Sequence, residues 1–185
     1  YDELIDFIFD YIRRKSEVII FFWSFCIICI GIAITVRINI AGYFPLKNII
    51  FHSILGLFAF PLLLVPLHEF IHIITYLMAG AKRIRVGIEL KQYMIYVTAH
   101  RYVTGRKPFI LVALAPFITI SLSLVILVLI LPGLWKWSLS LVLFVHATMC
   151  AGDFAMLNFY FINRKKKIYT WDDFEKKTAY FYEEI

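Results

Sequence analysis

Two histidines and a glutamate stand within an otherwise apolar run, PLHEFIHIITYLMAG, at residues 66–80. His68 and His72 are four residues apart, so on a helix their side chains lie on one face, a turn from each other. Two imidazoles at this spacing can bind one Zn²⁺, and Glu69 beside them can act as a general base on a water molecule that the metal activates. Such a short pattern also occurs by chance. The apolar setting favours the metal site, because ionisable groups inside a membrane usually mark function.

The composition is that of an integral membrane protein. Of the 185 residues, 62% are hydrophobic and the mean hydropathy is +0.80, well above the values of ordinary soluble domains. The formal net charge of +6 is explained by topology, because basic residues gather at the cytoplasmic ends of membrane spans. We therefore expect the lipid bilayer as a partner, and no nucleic acid.

Four apolar stretches are long enough to cross a bilayer, which takes about 20 residues. They are residues 18–36, 49–81, 109–131 and 139–162. The second is longer than one crossing needs, so a kink or a re-entrant segment is expected before Pro61 or Pro66. The sequence thus predicts an all-α membrane protein with four transmembrane helices, forming one integral membrane domain over residues 1–185.

Lysine and arginine are distributed unevenly around these spans. The N-terminal segment, the loop between spans two and three and the C-terminal segment hold 16 of the 19 basic residues, and the other two loops hold only 3. Cytoplasmic flanks carry the excess of Lys and Arg. We therefore expect a multi-pass protein of the cell membrane whose two termini and middle loop face the cytoplasm. Four spans put all three basic segments on that one side.

A catalytic zinc takes three protein ligands, so a third ligand must come from another span at the depth of the motif. With a rise of ~1.5 Å per residue, His72 lies ~15 Å from the basic boundary at Lys82, and Asp153 lies ~16 Å from the boundary at Arg164. The same estimate puts His146 at ~27 Å, so Asp153 is the predicted third ligand. His146 is seven residues earlier on the same helix face. Its role is left open between a second-shell neighbour of the metal ligands, a proton relay and a polar group facing the bundle interior.

The segments outside the spans also carry patterns. Residues 1–15 place apolar side chains at helical spacing among charges, which is typical of an amphipathic interfacial helix. In the middle loop, Ile84, Val86 and Ile88 alternate with other residues and the alternation resumes at residues 93–97, which predicts a short cytoplasmic β-hairpin. These three residues could bind an extended substrate at the hairpin edge, or the hairpin could be purely structural. The tail after Ile162 is predicted to be helical from Trp171 onward.

Other conspicuous residues have plainer interpretations. The three cysteines, Cys26, Cys29 and Cys150, lie in apolar runs and are expected to be lipid-facing or packing residues rather than a redox pair or a zinc site. Pro116 is expected to be a kink or packing feature of its span. His100 is expected to be a solvated histidine of the middle loop.

Three motifs occur in successive spans: HEFIH at residues 68–72, ALAP at residues 113–116 and AGD at residues 151–153. In this they resemble the putative zincin peptidase family of small bacterial membrane proteins, distant relatives of the site-2 proteases. The likeness extends from about Pro61 to Ile162. In site-2 proteases two histidines and a later aspartate hold zinc, so the resemblance implies the ligands His68, His72 and Asp153. Site-2 proteases carry an Asp-Gly pair after an Asn-and-Pro motif, whereas here the order is Gly-Asp and no such Asn precedes it.

The resemblance and the residues together predict an intramembrane zinc metallopeptidase with Glu69 as its base, acting on a membrane-associated protein or peptide. Two other classes stay open. One is a non-catalytic, metal-binding membrane regulator, which the missing Asn-and-Pro motif favours. The other is a small transport or immunity component in which the histidines handle ions or protons.

Overall fold

The computed structural model describes residues 2–89, 94–176 and 178–184. Most of this part of the chain is helical, with helices α1 Asp2–Arg13, α2 Glu17–Asn39, α3 Leu46–Ile54, α4 Phe60–Met78, α5 Arg106–Ile130, α6 Gly133–Met149 and α7 Ala151–Ile162. Five short strands lie between and after the helices, namely β1 Ile84–Glu89, β2 Met94–Ala99, β3 Thr104–Gly105, β4 Ile168–Asp173 and β5 Thr178–Glu183.

Three helical segments are long and apolar enough to cross a membrane: α2, the 33-residue run of α3 and α4, and α5. The pair α6 and α7 passes as a fourth only as a broken span, because its halves are bent by 43°. They meet at Cys150, just before Gly152 and Asp153, which are weaker helix formers than the surrounding residues. Three or four candidate spans are thus present, but the prediction of a single helix over residues 139–162 is wrong.

The over-long second span contains a π-helical turn, Leu55–Ala59, which joins α3 to α4. At this turn Gly56 lies against α6. A Cβ atom on Gly56 would come within 2.5 Å of the Ser138 carbonyl oxygen, so only glycine permits this close approach. The whole segment is one helical run of 33 residues. Of the two expected alternatives, a kink or a re-entrant segment, the re-entrant one is not formed.

The bundle core is formed by aromatic and aliphatic side chains from α2, α5, α6 and α7. Phe154 packs against Phe22 and Phe117, each with a ring-centroid distance of 4.9 Å. The cysteines belong to this core, since Cys26 and Cys29 are only 3% and 1% exposed. They are packing residues and do not face lipid.

The predicted hairpin forms between α4 and α5. Strands β1 and β2 pair antiparallel, with Ile84 opposite Ala99 and Val86 opposite Val97. Side chains alternate between the two faces of a strand, and Val97 and Ala99 of β2 pack against Tyr76 of α4 and Val112 of α5. The hairpin positions Leu90, Lys91 and Tyr93 lie outside the described residues.

The C-terminal tail is a correction to the sequence prediction. Strands β3, β4 and β5 form an antiparallel sheet in that order, so the segment from Trp171 onward is not a helix; Lys177 and Ile185 lie outside the described residues. Aromatic cross-strand pairs stabilise this sheet. Trp171 stacks on Tyr180 with ring centroids 4.4 Å apart, and Tyr169 stacks on Tyr182 at 5.5 Å.

Helix α1 packs along α7. Phe7 stacks on Phe181 of β5 at 5.6 Å, and the fully buried Asn158 of α7 donates through Nδ2 to the carbonyl oxygens of Tyr11 (2.6 Å) and Arg14 (2.9 Å). The last carbonyls of a helix have no partner within it, so Asn158 caps α1 at its C-terminal end. The predicted N-terminal helix is confirmed, and its place at the membrane interface stays a prediction.

Candidate metal centre

Helix α4 positions the two histidines of the motif. His68 and His72 lie one turn apart on its buried face, and their Nε2 atoms are 3.1 Å from each other. Their side chains are 8% and 11% exposed. The spacing of four residues therefore brings both imidazoles to one point, as the sequence predicts.

Helix α7 brings Asp153 to the same point. Its Oδ2 atom lies 3.3 Å from His68 Nε2, and its Oδ1 atom lies 3.4 Å from His72 Nε2. Asp153 stands in the first turn of α7, directly after the break at Cys150. The bend between α6 and α7 thus aims the carboxylate at α4.

The two imidazole nitrogens lie near the carboxylate at separations close to those of a tetrahedral zinc site, with Oδ2 of Asp153 nearest to His68 and Oδ1 nearest to His72. Zinc binds nitrogen and oxygen ligands at ~2.0–2.1 Å, which places neighbouring tetrahedral ligand atoms roughly 3.3–3.4 Å apart. The observed separations are 3.1, 3.3 and 3.4 Å. Two imidazoles and one carboxylate also form the ligand set of catalytic zinc sites with an open fourth position. The residues present therefore fit a zinc ion.

The two histidines differ in how their second nitrogen is bound. The Nδ1 atom of His72 lies 3.1 Å from the carbonyl oxygen of Val112 on α5, and since a carbonyl only accepts, Nδ1 carries the proton and donates it. This leaves the Nε2 lone pair for a metal. The Nδ1 atom of His68 is buried and has no hydrogen-bond partner within the described part of the chain.

His146 lies next to the first histidine of the motif. Its ring centroid is 5.7 Å from that of His68, and its Nδ1 atom lies 3.3 Å from Ser121 Oγ. Together with Cys150, His68 and His146 form a second group whose donor atoms lie within 4.8 Å of one another. The estimate of ~27 Å assumed a straight helix at ~1.5 Å per residue, and the break at Cys150 removes that assumption.

A cavity of about 840 Å³ opens next to these ligands. Its wall includes His68, Glu69, His72 and Asp153, and its far side is formed by β2, β4, β5 and α1. The Glu69 carboxylate faces the backbone amide of Val97 on β2. The glutamate of the motif is therefore accessible from the cavity and lies next to strand β2.

The family of the chain follows from its sequence. Residues 61–169 match the sequence model of a family described as putative zincin peptidase. The chain belongs to this family. The matched region is more than half of the chain and contains the whole ligand set on α4 and α7. Zincin peptidases are zinc metallopeptidases, so membership agrees with the donor geometry. Neither a curated protein nor a solved structure matches the chain.

For this zincin peptidase family member, the structure changes which strand adjoins the site. Cavity-lining residues of the hairpin belong to β2, at positions 95–98, and the candidates Ile84, Val86 and Ile88 on β1 are not among them. Val86 and Ile88 are 52% and 64% exposed, and Ile84 packs toward α4 and α5. A substrate role for the three β1 residues stays a prediction.

Two polar residues near the cavity, His100 and Asp172, have surroundings that the sequence did not predict. His100 is 7% exposed and accepts the Phe174 N–H through Nδ1 at 3.1 Å, so it joins the two sheets and is not solvated. Asp172 of β4 lines the cavity, and burial raises its pKa to about 6. The sequence predicts a helix for the tail, so no sequence signal places either Phe174 or Asp172 next to the motif.

Proposed function

We propose that the chain is an intramembrane zinc metallopeptidase in which His68, His72 and Asp153 hold the metal and Glu69 is the catalytic base. The observation that carries this proposal is the spacing of 3.1–3.4 Å between the two Nε2 atoms and from each of them to its nearer Asp153 carboxylate oxygen. Membership in the zincin peptidase family supports the same chemistry. The site-2 proteases, which work inside membranes, are the proposed mechanistic analogue.

Zinc in such a site acts as a Lewis acid that acidifies water and polarises a peptide carbonyl. Glu69 then moves the proton. Its carboxylate accepts a proton from the attacking water and later donates it to the leaving amine nitrogen, so that the peptide bond is replaced by a carboxylic acid and an amine. His72 keeps its proton on Nδ1, bound to Val112, throughout this sequence.

The edge of β2 that faces away from β1, over residues 95–98, is the proposed binding surface for the substrate backbone. The N–H of His100 donates to the carbonyl oxygen of Arg83 at 2.8 Å, in register with the β1–β2 ladder. Hydrogen-bonded and non-bonded pairs alternate along an antiparallel ladder. Thr98 and Tyr96 therefore bond to β1, and Val97 directs its N–H and C=O away from β1, toward Glu69.

An extended peptide that adds to this edge would pass directly over Glu69. Main-chain hydrogen bonds to a strand edge hold a peptide extended without regard to its sequence, and proteolysis needs an extended chain. Most of the cavity wall is apolar, including Phe7, Ile8, Phe109 and Met156. We propose that the substrate is a membrane protein or a membrane-associated peptide with apolar side chains around the cleaved bond.

The test is cleavage of transmembrane peptides by purified protein in detergent or liposomes. Wild type should cleave at least one peptide of a diverse panel, and added chelator should stop the cleavage. The Glu69→Gln variant keeps the shape of the side chain and loses the base, so it should bind zinc as wild type does and be at least ~100-fold slower. Equal rates for wild type and Glu69→Gln would show that a contaminating protease is at work and would contradict the proposal.

One observation favours a second candidate, a non-catalytic metal-binding regulator. Asn158 is the asparagine nearest to Asp153 along the chain, and its amide is bound to α1, so it does not stabilise a transition state in this arrangement. A regulator would bind zinc tightly and leave every peptide of the panel intact.

A further inference from the structure

Pro116 of α5 has a position in the sequence that determines which atom accepts the hydrogen bond of His72. In an α-helix the N–H of residue i donates to the carbonyl oxygen of residue i−4. For residue 116, the acceptor would be the carbonyl oxygen of Val112. Proline has no N–H, so the Val112 carbonyl has no helical partner, and it is this carbonyl that lies 3.1 Å from His72 Nδ1.

The proline ring acts in the same direction. Within a helix the ring crowds the carbonyl of residue i−4 and tilts it out of the helical ladder. Pro116 is fully buried and stands inside the unbroken helix α5, and Val112 is 2% exposed. The carbonyl is therefore freed and turned outward in a buried part of the structure, where a hydrogen bond is stronger than in water.

We propose that Pro116 is a positioning residue for the metal centre: it frees the Val112 carbonyl, which then holds the His72 ring in the orientation and tautomer that leave Nε2 for zinc. Partners of this kind typically change metal affinity by ~10–100-fold when they are lost. The inference rests on the proposed zinc site. It gives the proline of the ALAP motif a function beyond a kink in a span.

Replacement of Pro116 by alanine provides the first test. Pro116→Ala restores an N–H that competes for the Val112 carbonyl, and alanine is the best helix former, so the variant should fold. We expect zinc affinity, measured by competition with a chelator, to fall by ~10–100-fold. Pro108→Ala is the matched control on the same helix. Position 108 lies in the first turn of α5, where an N–H has no helical acceptor, so its affinity should equal that of wild type.

A backbone substitution separates the missing N–H from the shape of the ring. Lactic acid at position 116, introduced by nonsense suppression, has an ester oxygen in place of the N–H and the side chain of alanine. We expect it to restore the wild-type zinc affinity that Pro116→Ala loses. Unchanged affinity in Pro116→Ala would overturn the inference, and so would an ester variant as weak as Pro116→Ala, which would assign the effect to the ring alone.

The protonated nitrogen of His72 can also be observed without metal. Imidazole ¹⁵N shifts, assigned by comparison with His72→Ala, should show the proton on Nδ1 in metal-free wild type and a mixture of tautomers in Pro116→Ala. A mixture in wild type would overturn the inference. Absence of zinc binding by wild type would instead contradict the proposed function, so the two failures are distinguishable.

Discussion

The imidazole rings of His68 and His146 meet edge to face with centroids 5.7 Å apart, across the contact between α4 and α6. His146 is fully buried, and its Nδ1 atom is 3.3 Å from Ser121 Oγ. Two candidate metal-binding groups therefore share His68. One adds His72 and Asp153, and the other adds His146 and Cys150.

Single substitutions decide which group binds zinc. The carboxylate group has the tighter donor spacing, so Asp153→Asn should weaken zinc affinity by more than the ~10–100-fold that an outer partner contributes. His146→Ala and Cys150→Ser should each retain about one zinc per chain, measured by elemental analysis of protein purified without chelator. Zinc lost in His146→Ala and Cys150→Ser but kept in Asp153→Asn would move the metal to the other group.

The β2 edge is tested by proline substitutions that leave the β1–β2 ladder intact. Val97→Pro removes an N–H that points away from β1, and proline is tolerated at a strand edge. The Val97 N–H also faces the Glu69 carboxylate, so its loss should lower kcat/KM by roughly 3- to 10-fold at unchanged zinc content.

Val86→Pro is the matched control for that substitution. Val86 lies directly opposite Val97, and its N–H points to the outer edge of β1, away from the cavity. The kcat/KM and the KM of Val86→Pro should equal those of wild type. An effect of Val86→Pro alone would instead place the substrate on β1, beside Ile84 and Ile88.

The orientation in the membrane is tested by labelling single introduced cysteines. The native cysteines Cys26, Cys29 and Cys150 are buried and should react slowly. Lys176→Cys should react with an impermeant maleimide only after the cells are permeabilised, because the basic segments are expected in the cytoplasm. Lys47→Cys, in the first turn of α3, should react in intact cells. The opposite pattern would invert the topology and the side from which substrate reaches the cavity.

Asp172 predicts a pH dependence of stability. Burial raises its pKa from the ordinary 3.8 to about 6 in the folded chain. Below about pH 4 the carboxyl is protonated in both states and has no effect; as the pH rises through 6 the folded state must ionise a buried group, and stability is lost. Asp172→Asn should therefore raise the melting temperature at pH 8 by ~2–4 °C and leave it unchanged at pH 4.

Asp173 is the control with the opposite sign. Burial would raise its pKa, but hydrogen bonds from the Lys176 backbone N–H and from Arg101 outweigh it and hold the pKa below the ordinary value. Its carboxylate therefore stabilises the fold above about pH 4. Asp173→Asn should lower the melting temperature at pH 8. An equal effect of both substitutions at pH 8 would show that charge on the β4 strand, and not burial of Asp172, determines the result.

Local features of the site could be predicted from sequence, and non-local ones could not. His68 and His72 meet because helical spacing alone puts them on one face. The approach of Asp153 was found from depth, because its distance from the boundary at Arg164 lies within one unbroken helix, α7. The same arithmetic for His146 crosses the break at Cys150, so its assumption of one straight helix does not hold there.

The prediction of a helical tail was wrong for a different reason. Charged residues around positions 172–177 resemble a solvated helix, whereas strands β4 and β5 depend on partners five to fifteen residues away, such as Trp171 with Tyr180. Likewise, the contact of His72 with Val112 depends on how α4 and α5 are packed, which no local pattern reports. The proline that frees this carbonyl is visible in the sequence, but its meaning is not.

Helix α7 carries two contacts of different kinds. Asp153 faces the histidines of α4, and Asn158, about 7.5 Å further along the axis, holds the final carbonyls of α1. A fluctuation that withdraws this short rigid helix breaks both contacts in one event. The α1 segment and the floor of the cavity should therefore open with one shared free energy, and their amide protons should exchange with solvent as a single cooperative unit. Bound metal should slow the exchange of both segments.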